Sequence, residues 1–316
     1  MTHTADTRPH DSSPTTLGDA WAESAHALAA ASLDYGHGCA SAEEEAAWLV
    51  LHAAGLPATE ADRLDIHAAQ PLTERQVRQI QQITAQRIAS RQPLAYLLGE
   101  AWLAGLRFTV DPRVIVPRSF IAELLDQGAL DPWLVAPPQR VLDMCTGSGC
   151  LAILAALAWE DAQVDAADLS PDALAVAQIN RADYALQDRV RLIASDLWSA
   201  FAALPGEGYD LVLCNPPYVP TSSMQALPEE YRHEPALALA GGVDGMDLVR
   251  RFLREAPVHL APHGVIVLEV GNERAAFEAA FPQLPAVWLE TELHLEAVCL
   301  LLADDLRAAF AAGAAA

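Results

Sequence analysis

Positive charge is in short supply. Lysine and arginine together number 19 against 42 aspartates and glutamates, a formal net charge of −23. An acidic surface repels phosphate backbones, which argues against a protein that coats DNA or RNA and leaves room only for a local basic groove. Cysteine is sparse too. Cys39, Cys145, Cys150, Cys214 and Cys299 are odd in number, scattered and without zinc spacing, so they read as reduced thiols of a cytosolic protein, and no metal site is expected. Long apolar runs are missing: stretches such as Leu151 to Trp159 have about half the length that crosses a bilayer. Residues 1–14 are polar with no apolar segment, and are expected to form a disordered tail rather than a signal peptide. What the chain does have is core material. Of its 316 residues 52% are hydrophobic and 19% charged, which excludes a mainly disordered protein and suits one large domain or two ordinary ones.

The texture changes along the chain. Residues 15–99 repeat apolar side chains at helical spacing and lack β-branched runs. Ser41 followed by Glu44 reads as a capping box, opening a helix that carries Trp48, Leu49 and Leu51 and ends at Gly55. Thr73 to Arg91 is expected to be a long helix with Val77, Ile80, Ile83 and Ile88 on its apolar face. Residues 100–118 read as a β-hairpin linker, with strands Trp102–Val110 and Val114–Val116 around a turn at Asp111-Pro112. A short helix over Phe120–Gln127 and a proline-rich stretch over 131–139 follow. From Arg140 strands and helices alternate: Arg140–Asp143, Gln163–Asp168, Val190–Ala194, Tyr209–Cys214 and Gly264–Val270 are strands, and Pro285 to Leu302 holds a final strand pair. Repeated β-α units imply a doubly wound, parallel α/β sheet over 119–305, with an alanine-rich flexible tail over 306–316.

Chemistry gathers at the strand ends. In Asp143-Met-Cys-Thr-Gly147-Ser-Gly149 two glycines let the backbone turn sharply and approach a ligand where a strand hands over to a helix. The plainer reading is a tight turn. The spacing is not the dinucleotide fingerprint, because the third glycine position holds Ala152. Asp168 ends the next strand, where a carboxylate can accept both hydroxyls of a ribose; as a simple helix cap it would be redundant, since Ser170 supplies that. Asp196 follows the third strand and could accept from the exocyclic amine of an adenine. The most specific feature is Asn215-Pro216-Pro217-Tyr218. Prolines fix the backbone and lack N–H groups, so the Pro216 carbonyl and the Asn215 side-chain oxygen can face one planar NH₂ donor, with Tyr218 free to stack on it.

On these residues the chain resembles a class I, S-adenosylmethionine-dependent methyltransferase of the amino type, over roughly Leu94 to Leu302. More narrowly it resembles the protein-glutamine N5-methyltransferases. The resemblance implies a Rossmann-like sheet, mostly parallel with an antiparallel last strand, joined through a β-hairpin to an N-terminal helical domain that recognises the protein substrate. Two bacterial branches modify, respectively, peptide release factors and large-subunit ribosomal protein L3. Val116-Pro-Arg118-Ser119, the Cys145-containing glycine loop and Tyr231-Arg-His-Glu-Pro235 look like the ribosomal branch. The release-factor branch has glycine in place of Cys145 and Pro-Glu-Thr after the Pro-Arg pair, where this chain has Ser119-Phe120-Ile121. One departure is Glu290 to Glu296, which replaces the family's Gly/Asp turn before the last strand.

The resemblance implies a role for each matching position. Asn215, Pro216 and Tyr218 would be catalytic. Asp143, Cys145, Thr146, Gly147, Gly149, Asp168, Leu169, Asp196, Leu197 and Asn215 would surround the cofactor. Asn215, Pro216, Pro217, Tyr218, Arg118 and His233 would meet the substrate. S-adenosylmethionine would be the methyl donor, S-adenosylhomocysteine the product and L3 the partner, before or during ribosome assembly. An amide nitrogen is a poor nucleophile, and two acceptors on its hydrogens would draw it toward tetrahedral geometry; no strong general base is needed. His233 as a base and Arg118 as a substrate-orienting cation have plainer readings, a solvated pair and an ion pair. Three rivals remain. Adenine N6 methylation of nucleic acid would use the same motif but sits badly with a net charge of −23. Release-factor methylation shares the chemistry. A non-catalytic assembly factor would keep the fold, but not an intact Asn215–Tyr218 motif.

Overall fold

The computed structural model describes residues 15–202, 207–291 and 296–311, and the chain divides after Leu98 into two compact units. The first is helical: α1 (Leu17–Ala30), α2 (Ala42–Ala54), the short α3 (Leu64–His67), α4 (Glu74–Ser90) and α5 (Leu94–Leu98). Local chemistry sets the ends. Thr16 and Asp19 form a reciprocal capping box at α1, as Thr73 and Gln76 do at α4. At α2 only half of the expected box forms. Ser41 accepts from the Glu44 N–H, but the Glu44 carboxylate takes the Ala40 N–H instead of that of Ser41. Gly55 closes α2 in the left-handed region, at φ 76°. The buried stripe of α4 is Val77, Ile80, Thr84 and Arg87, with Ile83 and Ile88 only half-buried. The expected apolar face is rotated because Arg87 turns inward to a buried pair with Glu45 of α2, at 3.0 and 3.2 Å, and donates to the Asp34 carbonyl.

The second unit opens with a hairpin of β1 (Glu100–Leu103) and β2 (Leu106–Thr109). Its turn is Ala104-Gly105, both at positive φ (47° and 73°), not Asp111-Pro112. A two-residue turn of that handedness matches strand twist; a second turn closes at Asp111–Val114, where Val114 N–H donates to the Asp111 carbonyl at 3.1 Å, but among the described residues Val114–Val116 pairs with no strand. After α6 (Ile121–Asp126) come β3 (Arg140–Met144), α7 (Cys150–Ala158), β4 (Gln163–Asp168), α8 (Pro171–Asp183), β5 (Val190–Ala194), β6 (Tyr209–Cys214), α9 (Thr221–Ala226), α10 (Asp247–Glu255), β7 (Leu260–Glu269), α11 (Arg274–Ala280), β8 (Val287–Leu289), β9 (Val298–Leu302) and α12 (Ala303–Ala311).

The seven strands lie in the order β5-β4-β3-β6-β7-β9-β8. The five from β5 to β7 are parallel, and β9 runs antiparallel to both neighbours. Central strands such as Leu211–Cys214 and Ile266–Leu268 are completely buried, so they read as continuous apolar runs, as strands covered on both faces do. The chain order reverses between β3 and β6, which opens a crevice at their carboxyl ends. The expected flexible tail over 306–316 is helical as far as Ala311: Leu306 is buried and Arg307 donates to the carbonyls of Leu260, Ala261 and Pro262. Residues 1–14, 292–295 and 312–316, which carried the expected N-terminal tail, most of the altered final turn and the chain end, lie outside the described residues. Among the described residues no helix is long and apolar enough to cross a membrane, and no His, Cys, Asp and Glu cluster could hold a metal.

Candidate active site

The loops that leave β3, β4, β5 and β6 enclose a cavity of about 540 Å³, in the range of small-molecule sites. Eight of the residues singled out from sequence line it: Cys145, Gly147, Asp168, Leu169, Asp196, Leu197, Asn215 and Pro217.

The loop after β3 takes three left-handed residues, Cys145 (φ 61°), Gly147 (φ 55°) and Gly149 (φ 80°). The glycines serve different ends. A Cβ on Gly147 would meet nothing within 4 Å, because that side faces the cavity, whereas one on Gly149 would stand 3.1 Å from the Ala177 Cβ of α8. Asp143 lies beneath the loop. Its Oδ2 accepts from the Thr146 hydroxyl and from the Ala152 N–H, while its Oδ1 is buried with no hydrogen-bond partner among the described residues. Burial pushes the Asp143 carboxyl up to about 7. Asp168 ties two loops together, accepting from Gly147 N–H at 2.9 Å and Ser170 N–H at 2.8 Å, and burial raises its carboxyl as well. Ser170 itself caps α8. Asp196 is exposed and pairs with Arg251 of α10 at 2.8 Å.

Beyond β6, the Asn215 side chain and the Pro216 carbonyl have no hydrogen-bond partner among the described residues, so two acceptors remain for an outside donor. Their backbone is locked from behind. Val219 N–H donates to the Leu239 carbonyl and Gly241 N–H to the Val219 carbonyl, each at 2.9 Å. A Cβ on Gly241 would fall 2.7 Å from the Tyr218 backbone, which is why glycine stands there. Tyr218 does not line the cavity. Its hydroxyl lies 3.4 Å from Glu269 Oε1, and its ring packs against Gly271 so closely that a Cβ there would come within 2.7 Å.

Two family models match the sequence, the methyltransferase small domain over residues 120–229 and the PrmC N-terminal domain over residues 19–99. The chain is 56% identical over 281 residues to the ribosomal protein uL3 glutamine methyltransferase of Bordetella pertussis, covering 88% of this chain and 92% of that one. The protein of the same name from Burkholderia pseudomallei is 50% identical over 284 residues, covering 88% and 91%. The chain belongs to the ribosomal protein uL3 glutamine methyltransferase family. A solved ribosomal protein L11 methylase from Lactobacillus delbrueckii subsp. bulgaricus is similar over 61% of this chain and 82% of its own, at 18% identity and a TM-score of 0.41.

In this methyltransferase the cavity does not gather every residue singled out. Asp143, Thr146, Gly149, Pro216 and Tyr218 are not among the residues that line it. His233 ends a short 3₁₀ turn, Glu229–His233, away from the cavity wall. Arg118 is also off the wall: it pairs with the buried Glu234 through two bonds of 2.6 and 2.7 Å and stacks over Tyr231. Three participants went unread in the sequence. Glu234 stands in the Tyr231–Pro235 stretch but was given no role of its own, and Glu269 is a single acid with no local signal. The third, the turn at Gly241, Gly242 and Gly245, was open to detection, since three glycines in five residues mark a backbone that something approaches closely.

Proposed function

We propose that the protein transfers a methyl group from S-adenosylmethionine to the side-chain amide nitrogen of a glutamine in ribosomal protein uL3. The observation that carries this reading is the pair of unengaged acceptors, the Asn215 side chain and the Pro216 carbonyl, on a backbone that prolines and the 239–245 turn hold still. A glutamine amide has two hydrogens to offer such a pair. Held by both, its nitrogen is oriented, and the charge that develops on it is offset by oxygens already in place. The nitrogen then loses its proton to water, and neither His233 nor Arg118 is required for that step.

S-adenosylmethionine would supply the methyl group on a sulfonium centre. The residues around the cavity fit it. Gly147 presents an open backbone face, Asp168 can accept from ribose hydroxyls, and the orphaned Oδ1 of Asp143 suits a cationic group. Asp196 shares its carboxylate with Arg251, so its part on the adenine side is that of a paired rim residue.

Asp168→Ala should weaken cofactor binding by about ten- to a hundredfold, the worth of hydrogen bonds to a charged group; calorimetric titration with S-adenosylhomocysteine would read it, and unchanged affinity would remove Asp168 from the ribose site. Asp143 gives a pH signature. Its raised carboxyl stabilises the ligand-free fold most below the ordinary carboxylate range, and that contribution is lost as pH rises through about 7. Cofactor binding goes the other way, because a cation favours the ionised form. Affinity should therefore rise between pH 6 and pH 8, and Asp143→Asn should flatten that rise.

The function is tested by incubating the protein with methyl-labelled cofactor, uL3 and a release factor. Label is expected in a uL3 glutamine. Label in the release factor alone, or in adenine of added nucleic acid, would overturn the assignment.

A further inference from the structure

Glu269 closes β7 as Asp168 closes β4, yet it is not among the residues that line the cavity. It is 2% exposed, and each of its oxygens is used on a different segment. Oε2 accepts the Ser119 hydroxyl at 2.5 Å and the Phe120 N–H at 2.9 Å; Oε1 faces the Tyr218 hydroxyl at 3.4 Å. The segment held by Oε2 continues from a wall of the cavity, since Arg113, Val114 and Ile115 line it. The same segment is held at its other end by a second buried carboxylate: Glu234 accepts from the Val116 N–H at 2.9 Å and from Arg118. One strand end thus fastens a cavity wall to the tyrosine behind the two free acceptors.

We infer that Glu269 is a positioning residue for methyl transfer, holding Tyr218 with one oxygen and the Ser119–Phe120 turn with the other, so that the amide-binding corner and the 113–120 wall keep a fixed relation. The inference rests on the function proposed above, and it assigns Glu269 no contact with substrate or cofactor. Displacements of about an ångström at a reacting geometry are enough to cost on the order of a hundredfold in rate.

The test uses the full chain at pH 8, above the value near 7 to which burial raises this carboxyl. Glu269→Gln keeps the size and an acceptor for Ser119, but turns the group facing Tyr218 into an amide NH₂. Its kcat with uL3 should fall at least tenfold, with KM for uL3 and for the cofactor within about twofold of wild type. Combined with Tyr218→Phe, the loss should not exceed that of the worse single variant, because both act through one contact. Wild-type kcat, or strictly additive losses, would overturn the inference; a fall in cofactor affinity with kcat kept would do the same. If Glu269→Gln does not fold, Ser119→Ala removes one donor and leaves the carboxylate. A several-fold drop in its kcat supports the inference, and no change refutes it. Crystal structures of wild type and Glu269→Gln separate the two readings. Should wild type leave uL3 unlabelled, the function fails, while a Tyr218 hydroxyl that shifts or stays in the variant still decides the positioning role.

Discussion

Asn215→Ala should lower methyl transfer by about 10²- to 10³-fold and leave cofactor affinity within a few fold. That is the usual cost of deleting one preorganised group that stabilises developing charge. The structure separates the two readouts. The Asn215 side chain has no hydrogen-bond partner among the described residues, so truncation breaks no internal bond and should leave stability nearly unchanged. The backbone around it is fixed independently, by two prolines and by the bonds of Val219 and Gly241. The Pro216 carbonyl would still take one amide hydrogen, so substrate can bind but is poorly oriented. Steady-state kinetics with labelled cofactor and uL3, beside calorimetric binding of S-adenosylhomocysteine, would check this. Loss of cofactor binding, with kcat restored at saturating cofactor, would mean that Asn215 serves the cofactor and not the amide.

The second large effect concerns stability. Glu234→Ala should destabilise the fold by about 3 kcal/mol, with a fall in Tm on the order of 10 °C. Glu234 is completely buried at its side chain and accepts three bonds, two from Arg118 and one from the Val116 N–H. Removing it strands a guanidinium and a backbone donor. The figure lies at the low end for a broken buried pair because Arg118 keeps a quarter of its side-chain surface in solvent. Replacing the pair together, as Arg118→Met with Glu234→Gln, should recover most of the loss, since an uncompensated charge costs more than an absent pair. Urea unfolding of the two variants gives the comparison. A Glu234→Ala protein as stable as wild type would show that water reaches Arg118 freely.

These two residues also show what could be read from sequence. Asn215 was legible because its neighbours constrain it: a continuous apolar strand ends there and two prolines follow. The parallel strands β3 to β6 were legible because short apolar stretches alternate with helical segments, although only β6 is an almost wholly buried apolar run. Glu234 and Glu269 were not, because an acid earns its place through partners more than a hundred residues away. Arg118 was left between two readings, and the ion pair is the one observed. Local signals misled twice. Asp111-Pro112 does turn, with Val114 N–H donating to the Asp111 carbonyl, but Val114–Val116 only looks like a strand: pairing is decided by a neighbour, and the partner of β2 is β1, across Ala104-Gly105. Alanine over 306–316 suggested fraying, yet as far as Ala311 the chain is helical and Leu306 and Arg307 dock that helix on β7.

The glycine loop after β3 has a consequence for anyone who mutates it. Gly147 borders the empty side of the turn and Gly149 the flank of a neighbouring helix. A methyl group added at the first competes with a ligand; added at the second, it pries apart two pieces of scaffold. One short signature thus mixes a recognition requirement with an assembly requirement, and a variant that ruins the second says nothing about the first.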